Sequence, residues 1–261
     1  MTILSQGRHI GFRTDKPGLL EEIRTRFPPG WKPSERTRVR RVYSVRVAGQ
    51  TPGPGPRRTH NLYMNASRIE RSRDLDYLLD RLEGDLHLYV AERATRRIFV
   101  HAGVVGWRGK AIVLPGRTFT GKSTLVAELL RLGATYYSDE YAVLDAKGRV
   151  HPFARPLSIR GEADVRPARQ GPEAFGAEEG HEPLTVGVVA VTHFRPGARW
   201  RPRTLTGGQG VIALLEHTVP ARRRPKASLS TLRQAVSAAP VIKGIRGEAR
   251  QMAQALLDRV E

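Results

Sequence analysis

The stretch LPGRTFTGKSTLVAELLRLG, from Leu114 to Gly133, places Gly116, Gly121, Lys122 and Ser123 at the G-x-x-x-x-G-K-[ST] spacing of a phosphate-binding loop. Arg117, Thr118, Phe119 and Thr120 fill the loop, and Thr124 follows it. Glycine opens backbone angles closed to other residues, so consecutive N–H groups can turn inward around an anion. Lys122 supplies a compact charge to the β and γ phosphates of a nucleotide, and the Ser123 hydroxyl suits Mg²⁺. The helix that follows offers the positive end of its dipole to the same anion. ATP and Mg²⁺ are the expected ligands. The plain alternative is a glycine-rich turn that matches by chance, and the motif alone does not separate a kinase from a GTPase or a motor ATPase.

The neighbouring residues narrow the choice. A motor ATPase carries an apolar run ending in Asp far downstream of such a loop, whereas here the acidic pair Asp139 and Glu140 follows closely, at the end of ATYYS. Upstream, His101 lies on the strand before the one that feeds the loop. Transfer of a phosphoryl group to a serine hydroxyl needs a carboxylate within hydrogen-bond reach to take the proton. Adjacent residues on a strand point to opposite sides, so one acid can face the hydroxyl while the other turns toward metal or protein. The structural alternatives are an acidic pair that caps a turn and a hydrogen-bonded core histidine.

The segments VHAGVVGWRGKAIVLPGRTFTGKS and SDEYAVL resemble the catalytic core of the bacterial HPr kinase/phosphorylase family and the wider group of HPr-kinase-like serine kinases. The resemblance covers Phe99 to Asp145 specifically, extends plausibly to the C-terminus, and leaves out the first ninety or so residues. It implies an ATP-dependent serine kinase acting on a protein or peptide, with a ribosomal peptide precursor as one acceptor, and it suggests a homo-oligomer. By the same resemblance, Gly116, Gly121, Lys122 and Ser123 would bind the phosphates and Mg²⁺. Asp139 would take the proton, Glu140 would hold the metal or its water shell, and His101 would face the transferred group. PLSIRG is similar to a family segment, which makes Arg160 a candidate for neutralising transition-state charge, with Arg155 as the weaker one. A solvated or salt-bridged arginine is the alternative at Arg160. This sequence departs from the family in Glu140 where many members have Asp, in bulky Phe119, and in GEADVRP after Ile-Arg-Gly. The sugar-transport phosphocarrier as substrate and the reverse phosphorylase activity are therefore not implied.

These residues need elements to hold them. RRIFVHAGVVGWRGKAIVLPG reads as two apolar strands joined by the turn WRGK, STLVAELLRLG as a helix capped by Gly133, and ATYYS as a strand. YAVLDAKGRVHPF reads as a hairpin turning at Lys147 and Gly148. Residues 161–183 are rich in Gly, Pro and Glu and predict a mobile loop. Beyond it come a buried strand (LTVGVVAVTHF), two helices (GGQGVIALLEHTV and KASLSTLRQAVSA), a strand (PVIKGI) and a last helix (GEARQMAQALLDRV). Nearer the N-terminus, HIGF and VYSVRVAG have strand character, PGLLEEIRTRF is a short helix, and TPGPGPRRTH is a loop. DLDYLLDRLEGDLHLYVAERA sets Leu75, Leu78, Leu79, Leu82, Leu86 and Tyr89 at helical spacing. The expected fold is α/β, with an N-terminal α/β region over 1–95 and a P-loop kinase core over 96–261, a mixed sheet with flanking helices.

The chain has 261 residues and a formal net charge of +19, which invites a nucleic-acid reading. The basic residues are scattered, with few aromatics placed to stack on bases, and a high-GC genome also inflates arginine. An acidic patch on a protein or peptide partner suits the charge at least as well, and nucleic acid is not the expected ligand. Cysteine is absent, which excludes disulfides and thiolate metal sites. No apolar window of about 18 residues and no secretory signal is present, so the expectation is a cytoplasmic protein without a membrane span. Two other functions stay open from sequence: a nucleotide-gated binding module in which ATP orders the loop over 161–183, and a small-molecule kinase.

Overall fold

A computed structural model describes residues 1–49, 59–116, 120–159, 168–237 and 239–260. The chain is mixed α/β and divides into two compact units, Met1–Thr95 and Arg96–Glu261. Among the described residues no helix is long and apolar enough to cross a membrane.

The first unit is a six-stranded sheet built from β1 (Thr2–Ser5), β2 (Arg8–Thr14), β3 (Lys32–Pro33), β4 (Arg41–Arg46), β5 (His60–Met64) and β6 (Ser67–Ser72). Its order is β3-β1-β2-β4-β5-β6, with β2 and β4 parallel. Two helices complete it, α1 (Leu19–Arg24) and α2 (Leu75–Arg93). The Asp74 carboxylate accepts from the Tyr77 N–H and caps α2, whose Leu78, Leu79, Leu82, Leu86 and Val90 are fully buried. Leu75 and Tyr89, expected on the same face, are only partly buried, and Tyr89 carries the Arg41 guanidinium 4.2 Å above its ring. Of TPGPGPRRTH, residues 51–58 lie outside the described ones.

The second unit holds β7 (Ile98–Trp107), β8 (Lys110–Pro115), β9 (Thr135–Ser138), β10 (Tyr141–Leu144), β11 (Val150–His151), β12 (Leu157–Ile159), β13 (Ala168–Gln170), β14 (Thr185–Phe194), β15 (Arg203–Leu205) and β16 (Val241–Arg246). Its helices are α3 (Lys122–Arg131), α4 (Gly207–Leu215), α5 (Pro225–Ser237) and α6 (Ala249–Leu257). The main sheet runs β11-β10-β7-β8-β14-β16-β15, and β9 joins the free part of the β7 edge. β8, β14 and β16 are parallel neighbours, so their carboxyl ends open at one edge of the sheet. Parallel strands buried on both faces explain the unbroken apolar run of LTVGVVAV. α3 and α6 pack with Ile112, Leu114, Val188 and Ile242 on one face, while α4 and α5 pack with Ala111, Val113, Val189 and Val241 on the other.

The WRGK turn forms as expected, with Arg108 and Gly109 at φ values of 46° and 74°, the left-handed pair that a two-residue hairpin needs. The mobile-loop expectation for 161–183 is corrected over 168–183. There β13 pairs with β12, and residues Pro172–Phe175 form a 3-10 turn. The physical reason is one aromatic ring: Phe175 is 6% exposed within the α3–α6 core, and Arg131 stacks on it at 5.2 Å. Glycine and proline set the turns of this segment without freeing it. Residues 160–167 lie outside the described ones.

Candidate functional site

β8 delivers the chain to Gly116, whose N–H donates to the His101 carbonyl at 3.2 Å. A Cβ on Gly116 would stand 2.8 Å from the Thr120 hydroxyl, so only a bare backbone fits beside Thr120. Gly121 sits at φ 75° and ψ 21° and begins α3 without a side-chain cap, leaving the first-turn N–H groups for another acceptor. Lys122 and Ser123 occupy that first turn, followed by Thr124. Arg117, Thr118 and Phe119 lie outside the described residues, as does Arg160.

The acidic pair forms a two-residue break between β9 and β10, both of which pair with β7. The Ser138 hydroxyl accepts from the N–H groups of Glu140 at 3.2 Å and Tyr141 at 3.0 Å, and the Glu140 carbonyl accepts from Ala102 at 3.2 Å. The pair therefore does occupy a braced turn, and the turn splits its side chains. Asp139 points to the Ser123 hydroxyl, which hydrogen-bonds to it, with Lys122 close by. Glu140 points outward, its carboxylate 3.9 Å from His101 Nδ1 and 4.0 Å from Arg155 Nη1.

Burial pushes the Asp139 carboxyl up to about 6, with Glu140 adding to the rise and Ser123, Lys122 and the Ser158 N–H opposing it. Its Oδ1 is buried with no hydrogen-bond partner among the described residues. Burial also lowers the Lys122 ammonium from its ordinary value, against the pull of Asp139 and Glu140. The same cause lowers His101, with Lys122 adding and Glu140 opposing, which favours the neutral imidazole. The His101 ring lies 4.8 Å from that of Tyr141. The structure thus brings Gly116, Thr120, Gly121, Lys122, Ser123, Asp139, Glu140, His101 and Arg155 to one end of the sheet.

Sequence reasoning passed over Arg246. It ends β16, is 2% exposed, and its Nη2 donates to the Gly121 carbonyl at 2.9 Å and the Thr120 carbonyl at 3.4 Å. Nη1 donates to the Gly247 carbonyl at 3.0 Å, while Nε is buried without a partner among the described residues. A buried guanidinium thus clamps the exit of the glycine-rich loop. The available signal was KGIRGEA, a basic residue at the carboxyl end of a strand that turns at once into a helix.

Among the described residues no group of three His, Asp or Glu side chains could cage a metal ion. Mg²⁺ does not need one, because it takes one or two protein oxygens and fills its octahedron with phosphate oxygens and water. The Ser123 hydroxyl fits that donor set, whereas Glu140, the acid expected to hold the metal or its water shell, turns away from Ser123 toward His101 and Arg155.

No protein-family model and no curated protein matches the chain. Among solved structures, the Hpr(Ser) kinase/phosphatase from Coxiella burnetii aligns with 62% of this chain and 93% of its own, at 12% identity and a TM-score of 0.32. A likeness that slight carries no argument about activity.

Proposed function

We propose that this protein is an ATP-dependent kinase that transfers the γ-phosphoryl group to a serine hydroxyl of a protein or peptide. The observation that carries the reading is the contact of Asp139 with Ser123 beside Lys122, at the mouth of a strand–glycine loop–helix unit. Phosphoryl transfer asks a protein mainly for position and countercharge. The loop amides, the α3 N-terminus and Lys122 would supply the countercharge, and Ser123 would hold Mg²⁺, which would add to it. Asp139, with a carboxyl near 6 and a free buried oxygen, is tuned to accept a proton near neutral pH. Glu140 orients His101 and Arg155 toward the transferred group. Arg246 holds the Thr120 and Gly121 carbonyls where the loop enters α3. Arg160 keeps the transition-state role that the family resemblance gives it.

In the gated-module alternative nucleotide would order residues 161–183, of which 168–183 carry β13 and the turn that buries Phe175. The test is transfer from γ-labelled MgATP to proteins and peptides of a host extract, with Lys122→Ala and Asp139→Asn in parallel. The expected outcome is label on a protein or peptide with the wild type alone, at a rate reduced by about 10²-fold or more in Asp139→Asn. Label on small molecules only would identify a small-molecule kinase, and unimpaired transfer by Asp139→Asn would remove it as the base. A raised Mg²⁺ requirement with unchanged maximal rate would make Asp139 a metal ligand instead.

A further inference from the structure

A second binding feature borders the ends of the glycine-rich loop, and Asp139 is not part of its lining. At the carboxyl ends of β8, β14 and β16 there is a cavity of about 570 Å³ that Gly116 and Thr120 border from the loop. Its volume falls in the range of small-ligand sites. Among the described residues its charged lining is one-sided: Arg201, Arg203 and Lys243, with the imidazoles of His193 and His217, the hydroxyls of Thr120 and Thr192, and no carboxylate.

The strand register explains how these groups meet. Arg203 of β15 is the cross-strand partner of Lys243 in β16, and Lys243 is level with Val191 of β14. Two residues further along, His193 is level with Ile245, and paired residues share a face of the sheet. One face at this edge therefore carries a row of cations followed by an imidazole. Like charges directly opposite one another on neighbouring strands are destabilising. Among the described residues neither Arg201, Arg203 nor Lys243 forms an ion pair. Glu216 lines the adjoining cleft with Lys243 and Arg203, and among the described residues it pairs with neither. An anion in the cavity would relieve this repulsion, whereas a neutral nucleobase would not. The nucleotide's own phosphates already have the loop, Lys122 and the α3 N-terminus.

We infer that this cavity holds an anionic group of the phosphate acceptor, a carboxylate or phosphate close to the hydroxyl that is modified. The identity of the occupant rests on the kinase reading above, which it deepens by naming the acceptor class. The carboxylate can be an acidic side chain or a free peptide C-terminus, and the phosphate a residue modified earlier; each offers the same paired oxygens to arginine. The apolar wall from Pro115, Val191 and Ile245 suits the carbon skeleton beside the anion.

The experiment measures anisotropy of fluorescein-labelled heptapeptides with a central serine, using the full chain with MgADP. One peptide is neutral and amidated, one carries aspartates beside the serine, one has a free C-terminal carboxylate, and one carries a phosphoserine. The variant Arg203→Gln/Lys243→Gln changes two exposed side chains, and circular dichroism checks its fold. The expected result is that at least one anionic peptide binds about tenfold or more tighter than the neutral one, and that the variant removes this preference with ATP affinity unchanged. Which peptide gains identifies the source of the anion. Equal binding of all four would overturn the inference, as would a variant that loses ATP affinity and keeps its peptide preference, since the cavity would then hold part of the nucleotide. A preference abolished by the variant, with no phosphate transferred to any of the peptides when MgATP replaces MgADP, would leave the anion site standing and count against a peptide serine as the acceptor.

Discussion

Asp139 pays for its position by being hard to ionise, and that makes it visible in stability as well as in rate. Its folded pKa, about 6, lies above the ordinary aspartate value of 3.8, so the folded state binds the proton more tightly than the unfolded one. Stability from this group is fully present below pH 3.8 and is lost as pH rises to about 6. Asp139→Asn, which cannot ionise, is expected to raise Tm by about 2–6 °C at pH 7.5 in the nucleotide-free protein and to change it little at pH 4. Transfer should run the opposite way in wild type, rising with pH through about 6 as the carboxylate becomes able to accept a proton. Thermal melts at the two pH values, set beside the pH–rate profile, check both halves. A variant less stable than wild type at pH 7.5 would show that the Ser123 and Ser158 hydrogen bonds outweigh burial. Asp139 was legible as a chemical residue from its distance to the loop; its contact with Ser123 was not, because β9 and β10 had to dock end to end along β7 before the turn between them could face α3.

The loop-bearing elements were readable because their signals are local. Strand, glycine loop, helix and Gly133 follow one another along the chain, and each needs only its neighbours. Arg246 was not readable, since its partners at Thr120 and Gly121 are brought near only when β16 takes its place two strands from β8. Residues 168–183 failed for a related reason: Gly and Pro advertise turns, and nothing local says that Phe175 will be buried. The coupling of β16 to the loop is testable as a cycle. A Cβ on Gly121 would lie 2.3 Å from Arg246 Nη2, and φ at this residue is 75°. Gly121→Ala therefore carries a backbone strain of about 1–2 kcal/mol plus a clash. Arg246→Ala leaves two loop carbonyls short of a donor and should cost about 1–3 kcal/mol. The double variant is expected to be more stable than the sum of the two losses predicts, by about 0.5–2 kcal/mol, because the clash vanishes with the guanidinium while the strain remains. Denaturant melts of the four proteins give this number, and strict additivity would mean that Arg246 does not press on Gly121.

The net charge of +19 belongs to the surface as a whole, and salt separates its effects from those of the site. Many of the acids are already engaged, as in Arg26 with Asp80 and Glu83, and Arg41 with Asp85, so the excess is mostly arginine facing water. Such a surface attracts any polyanion at low ionic strength, with an affinity that falls steeply as salt displaces the contacts. The phosphate loop behaves differently. Lys122 and Asp139 are partly buried, and interactions between buried charges are screened far less. Between about 50 and 200 mM KCl, binding of a fluorescein-labelled DNA duplex should therefore weaken by at least about 10-fold with no preferred sequence. Maximal transfer rate should change by less than about twofold over the same range, since screening acts on encounter more than on the assembled site. Anisotropy and transfer measured in the same buffers decide the matter. DNA binding that survives at 200 mM and discriminates between sequences would make nucleic acid a true ligand, and the arginine-rich surface would then have to be explained by contacts to bases rather than by diffuse attraction.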